Sequence, residues 1–176
     1  LAFVAYHLDS THVAIQAYEH IVREVAADTV ALASLGTLYL SERRYEQAVE
    51  ILEQLISATP SHFDGHVNLG VAHEELGHFS KAEMAYRRAI AIAPASGMAY
   101  YNLGNLYWNQ RDYPAAISAY EKAVERAPED HNTLYNLAVC YLSVEDYDAA
   151  IPILVELTDR MPDNTLVWRE LGRIYA

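Results

Sequence analysis

The stretch YYNLGNLYWNQRDYPAAISAYEKAVERAP, residues 100–128, decides the fold because its landmarks recur along the whole chain. It closes on Pro128, and Pro60, Pro94, Pro128 and Pro162 stand at a constant interval of 34 residues, the self-similarity that marks a repeat architecture. Gly36, Gly70, Gly104 and Gly172 keep that interval with Ala138 in the missing place, and so do Ala14, Ala48, Ala82, Ala116 and Ala150. With the proline set as position 32 of the unit, full repeats run over 29–62, 63–96, 97–130 and 131–164. A partial repeat at 1–28 and a bare first helix at 165–176 flank them.

Each unit carries two apolar stripes of helical spacing, as in Leu32, Leu35, Leu38 and Tyr39 followed by Ala48, Ile51, Leu52 and Leu55. Each is therefore predicted to be a helical hairpin. Glycine at position 8 and alanine at position 20 lack the side chains that would hold the two helices apart. Proline at position 32 ends the second helix and moves its predecessor out of helical geometry. The bends RRY, GHFS, RDYP and EDYD supply polar groups to cap the second helix. Pro114 falls at the very start of its helix, where it is harmless. Pro152, inside DYDAAIPILVEL, predicts a kink or a delayed helix start.

These residues resemble the tetratricopeptide repeat, whose pattern is W-x2-L-G-x2-Y, then A-x3-F, then A, then P. Tyr100, Leu103, Gly104, Tyr107, Ala116, Tyr120, Ala123 and Pro128 occupy the signature places in one unit. Repeat 63–96 departs with His66 for the large aromatic and His73 for the tyrosine, and repeat 131–164 departs with Ala138 for the glycine. The resemblance spans the chain and implies an all-α, right-handed superhelical solenoid of antiparallel helix pairs, first helices lining the concave face and each repeat stabilised by its neighbours. Leu1 and Ala176 fall inside first helices, so the sequence reads as a piece whose parent continues in both directions or whose ends another subunit covers.

In the family, positions 2, 5, 6, 9, 12 and 13 of the first helix face the concave groove. Position 6 here is Asn68, Asn102 and Asn136 in three successive repeats. An asparagine amide both donates and accepts, so a ladder of them suits the backbone of an extended peptide without reading its sequence. Tyr101 and Tyr135 at position 5, Asn105 at position 9, and Trp108 and Asn109 at positions 12 and 13 surround the ladder, the composition expected of a binding hot spot. Family co-chaperones clamp a C-terminal carboxylate with Lys and Asn at positions 5 and 9. Here those places read Ala33 and Thr37, Val67 and Val71, Tyr101 and Asn105, Tyr135 and Val139, so that clamp is absent. Arg169 and Arg173 form the one basic pair in groove positions.

A formal net charge of −12 argues against nucleic acid and anionic membrane, both of which need clustered Lys and Arg. No stretch approaches the roughly 20 apolar residues of a membrane span, and the start LAFVAYHLDS lacks the basic region and cleavage site of a signal peptide. The compartment is not written in the sequence. Glu145, Asp146, Asp148, Glu156, Asp159 and Asp163 against Arg160 make repeat 131–164 acidic, a field that would steer a basic partner segment.

No cofactor or metal is implied. AHEELGH at 72–78 spaces its histidines five apart rather than the four that share a helix face, and His66 and His73 read as hydrogen-bonded core histidines. Cys140 reads as a packed, inert thiol. The sequence thus points to a non-enzymatic scaffold that holds an extended segment of a partner protein in its groove. Two rivals remain at this level. One is the substrate-recruiting arm of a larger enzyme, as in the glycosyltransferases that attach N-acetylglucosamine to proteins; the other is a scaffold that associates with itself.

Overall fold

The computed structural model describes residues 11–175, so the expectations placed on Leu1 and Ala176 lie outside the described residues. Within that range the chain is all helix and short turns. First helices are α2 (Thr29–Ser41), α4 (Phe63–Glu75), α6 (Gly97–Asn109), α8 (His131–Ser143) and α10 (Thr165–Tyr175). Second helices are α1 (Thr11–Glu24), α3 (Tyr45–Ala58), α5 (Phe79–Ile92), α7 (Tyr113–Arg126) and α9 (Tyr147–Arg160). Within each set the starts are spaced by the 34 residues of the repeat. The all-α helical-repeat class expected from the sequence is the one observed.

The chain divides into two compact units, Leu1–Ala93 and Pro94–Ala176. In the first, Leu32, Leu35, Leu52, Leu55 and Ala48 are fully buried with Ala14 and Ile15 in one cluster. The second includes a cluster around Ala116, Tyr120, Leu137 and Cys140 and another around Leu134, Ala138, Leu154, Leu157 and Val167. Position 8 closes each hairpin as expected. A methyl group on Gly104 would stand 2.6 Å from the Tyr120 ring, one on Gly70 would overlap the Tyr86 ring, and one on Gly36 would come 2.7 Å from the tip of Leu52. In the fourth hairpin Ala138 and Leu154 are both fully buried in one cluster.

Prolines at position 32 act through the residue before them. Thr59, Ala93, Ala127 and Met161 cap the second helices in non-helical geometry, with φ between −130° and −139°. At the hairpin bends position 15 takes the left-handed conformation, in Arg43 (φ 57°), Gly77 (φ 73°), Arg111 (φ 61°) and Glu145 (φ 61°). The N–H two residues past each first helix's cap reaches back to the position-11 carbonyl, as in Asp112 to Tyr107 at 2.9 Å and Asp146 to Tyr141 at 2.9 Å. Capping of the second helices is uneven. Asp112 and Asp146 accept from the N–H groups of Ala115 (3.2 Å) and Ala149 (3.1 Å), whereas Arg44 and His78 make no such bond.

Pro152 sets aside one of the two outcomes expected of it. The helix that contains it begins at Tyr147, in register with its counterparts, so there is no delayed start. Asp146 fixes that beginning, and Pro152 lies on the exposed side, where the bond it forfeits faces water.

Candidate functional site

The groove residues singled out in the sequence sit on first helices, Asn68 on α4 in the first unit and the remainder on α6 and α8 in the second. All are half-buried except Asn109, which is exposed at the end of α6. Asn68 donates to Thr37 Oγ1 at 3.3 Å, and Asn136 donates to Asn105 Oδ1 at 3.3 Å, each bond running from position 6 to position 9 of the preceding repeat. Asn105 Oδ1 also accepts from the hydroxyl of Tyr120 at 2.6 Å. A polar chain therefore runs from the closing tyrosine of one hairpin to the first helix of the next, leaving the Asn105 NH2 and the Asn136 carbonyl oxygen unspent within it.

Asn102 differs from its two counterparts. Its amide is half-buried and makes no hydrogen bond to another described residue, and the residue 31 earlier, Val71, has no polar side chain. A half-buried amide carries both a donor pair and an acceptor, and leaving them unmatched is costly unless water or a ligand meets them. Around it the aromatics form a wall. Tyr101 stands 6.1 Å from Tyr120 between ring centroids, Trp108 stands 5.2 Å from Tyr113, and Tyr135 packs beside Leu134 and Ala138.

The basic pair of α10 is already engaged, since Glu170, buried to 6% exposure, accepts from Arg173 at 2.8 Å and lies 3.5 Å from Arg169. Cys140 is fully buried, and burial pushes its thiol up to about 12, far from a reactive thiolate. Among the described residues no group of three or more His, Cys, Asp or Glu side chains could hold a metal ion, and no helix is long and apolar enough to cross a membrane.

The histidine expectation holds for one residue and fails for the other. His66 Nε2 donates to the Pro60 carbonyl at 3.0 Å, whereas His73, 5% exposed, leaves Nδ1 buried with no hydrogen-bond partner. Burial, helped by Lys81 and His78 and opposed by Glu53, lowers the pKa of His73. Two regularities escaped the sequence reading. Position-11 tyrosines donate to position-25 glutamates of the preceding repeat, Tyr39 to Glu19 and Tyr141 to Glu121, each at 2.7 Å. And all four position-32 carbonyls accept a side-chain bond. His66 serves Pro60 and Trp168 serves Pro162 (2.9 Å), while Arg126 serves Pro94 (2.7 Å) and Arg160 serves Pro128 (3.1 Å). Where position 4 is Tyr100 or Leu134 and does not serve the carbonyl, an arginine at position 30 replaces it, and Arg126 lies over the Tyr100 ring at 4.3 Å. The interval of 20 between Tyr and Glu in two repeats was the one signal available in advance.

Closed helical hairpins repeated every 34 residues, with glycine against an aromatic at the crossing, define a helical-repeat binding fold. A tetratricopeptide repeat model matches residues 34–97 and 101–155, and the chain belongs to that family. No functionally curated protein matches the sequence. Solved structures share the fold. A crystal structure of MamA superposes with a TM-score of 0.86 at 22% identity, covering 94% of this chain and 96% of that one. A MamA from Desulfovibrio magneticus gives 0.83 at 21% identity, over 93% and 92%. YrrB, described as a tetratricopeptide repeat protein with an unusual peptide-binding site, gives 0.77 at 20% identity, over 97% and 88%. The fold is thus that of a protein-interaction scaffold.

Proposed function

We propose that the chain is a non-enzymatic scaffold whose first-helix face on α6 and α8 holds an extended segment of a partner protein. The observation that carries this reading is the half-buried Asn102 amide without a protein partner, set beside Tyr101, Trp108 and the chain from Tyr120 through Asn105 to Asn136. Asn102 meets a peptide unit of the ligand, the free NH2 of Asn105 and the carbonyl of Asn136 meet others, and Tyr101, Trp108 and Tyr135 supply contact area at low entropic cost. Asn109 contributes at the open end, and Asn68 offers the same chemistry in the first unit. The peptide-binding description of YrrB supports the class of ligand.

The exposed carboxylates Glu145, Asp146, Asp148 and Glu156 favour a basic segment through long-range attraction. The test is affinity capture by the wild-type chain and by a triple variant, Asn102→Ala, Asn136→Ala and Tyr101→Ala, with circular dichroism to verify that the variant is folded. A partner held by the wild type and lost by the folded variant supports the reading. A partner held equally by both removes these residues from the site.

A further inference from the structure

A second feature lies in the first unit, on a different surface. A cleft of about 690 Å³ opens between α3, α4 and α5, and its lining includes Glu53, Leu69, His73, Lys81, Met84 and Arg88. Its origin is a substitution of the repeat. In two other repeats the position-11 side chain is a tyrosine that spans to the position-25 glutamate, Tyr39 to Glu19 and Tyr141 to Glu121. His73 is shorter, forms no such bond to Glu53, and keeps a buried Nδ1 without a partner.

The charge of the cleft opposes that of the chain. Three of the six Lys and Arg residues of the first unit, Lys81, Arg87 and Arg88, fall within eight residues on α5 and line it, in a protein of net charge −12. Arg87 is paired with Glu83 at 2.8 Å. Lys81 and Arg88 are exposed and form no ion pair with a described residue. Leu69, Ala85 and the outward Met84, 72% exposed, give the cleft apolar walls.

We propose that this cleft recognises an acidic segment of a partner protein. An Asp or Glu side chain enters toward His73 between Lys81 and Arg88, and a neighbouring apolar residue covers Leu69 and Met84. The cationic fork supplies charge complementarity, and Glu53 on the opposite wall accepts a peptide N–H. The ring of His73 faces Glu53 from α3, His66 from its own helix, His78 in the turn at 5.7 Å between centroids, and Lys81, Arg87 and Arg88 from α5. A bound carboxylate favours the protonated ring, so binding tightens as pH falls through the histidine range.

The test uses the full chain with 15N-labelled histidine and a blocked peptide, acetyl-Gly-Leu-Asp-Glu-Leu-Gly-amide, against the same peptide with Asn and Gln in place of Asp and Glu. The acidic peptide is expected to shift the His73 ring resonances and raise its pKa, and the neutral peptide to bind at least tenfold more weakly. Lys81→Glu with Arg88→Glu, both at exposed positions, should weaken binding at least tenfold without loss of helix, while Asn102→Ala leaves it unchanged. His73 resonances unmoved by the acidic peptide, equal binding of the two peptides, or indifference to charge reversal would each overturn the proposal.

Discussion

Repeats 63–96 and 97–130 share a backbone and differ in what they leave open. Both close their hairpins with glycine against a buried tyrosine, Gly70 with Tyr86 and Gly104 with Tyr120. In 97–130 the closing tyrosine feeds a hydrogen-bonded chain on the first-helix side, through Asn105 to Asn136. In 63–96 its hydroxyl goes to Glu74 at 3.0 Å, and the second-helix side, where His73 replaces tyrosine, opens into the basic cleft. One scaffold thus presents chemistry on either face of a hairpin, depending on two or three side chains that the helices themselves do not need.

The largest effect should come from what the two repeats share. Gly70→Ala and Gly104→Ala each force a methyl into an aromatic ring that is 1% exposed, and overpacking of this kind costs about 1–3 kcal/mol. Gly36→Ala meets only the movable end of Leu52, and Gly172→Ala meets nothing within 4 Å, so the latter should gain up to about 1 kcal/mol from helix propensity. Urea unfolding of the four variants gives the order, and a Gly104→Ala protein as stable as Gly172→Ala would end the argument from closure.

The next effect tests what separates them. His73→Tyr restores the tyrosine found at positions 39, 107 and 141, fills the cleft and reaches Glu53; a gain of about 1 kcal/mol is expected from the added bond. It also removes an acid sensitivity. The pKa of His73 is lowered from 6.5 in the fold, so the unfolded chain binds the proton more readily, and stability contributed at neutral pH is lost as pH falls below that value. Wild type should therefore weaken between neutrality and pH 5 more than the variant does, as thermal melts at each pH will register.

The smallest effect concerns the tyrosine bond itself. Burial and then the hydrogen bond to Glu19 push the Tyr39 hydroxyl up to about 12. The folded chain thus holds its proton above the ordinary value of 10.0, and the stability this supplies is full below pH 10 and lost by about pH 12. Tyr39→Phe should lower stability at pH 8 by about 0.5–1.5 kcal/mol and flatten the alkaline fall. An unchanged alkaline slope would show that other groups govern it.

The hairpins were legible because their signals are steric and repeat: proline at 32, glycine or alanine at 8 and alanine at 20 each act on the backbone within one unit. The helical hairpins therefore followed directly, and the family with them. The bonds between repeats were not legible, because a hydroxyl at position 11 or 24 has several acceptors in reach and only packing selects one. Left-handed Arg43, Arg111 and Glu145 carry no glycine to announce them. Pro152 does not delay its helix, because its position relative to solvent, invisible in a linear pattern, decides whether the lost bond matters. The sequence showed that Asn68, Asn102 and Asn136 share one repeat position, but not that two of them are bonded sideways and one is not.

The proline carbonyls have a historical implication. Pro94 and Pro128 are served by Arg126 and Arg160, Pro60 and Pro162 by His66 and Trp168. Two interchangeable donors for one acceptor make a neutral path: while the arginine at position 30 serves the carbonyl the residue at position 4 can drift, and while position 4 serves it the arginine can. Ancestral reconstructions of the repeat should therefore contain the arginine with the aromatic more often than neither.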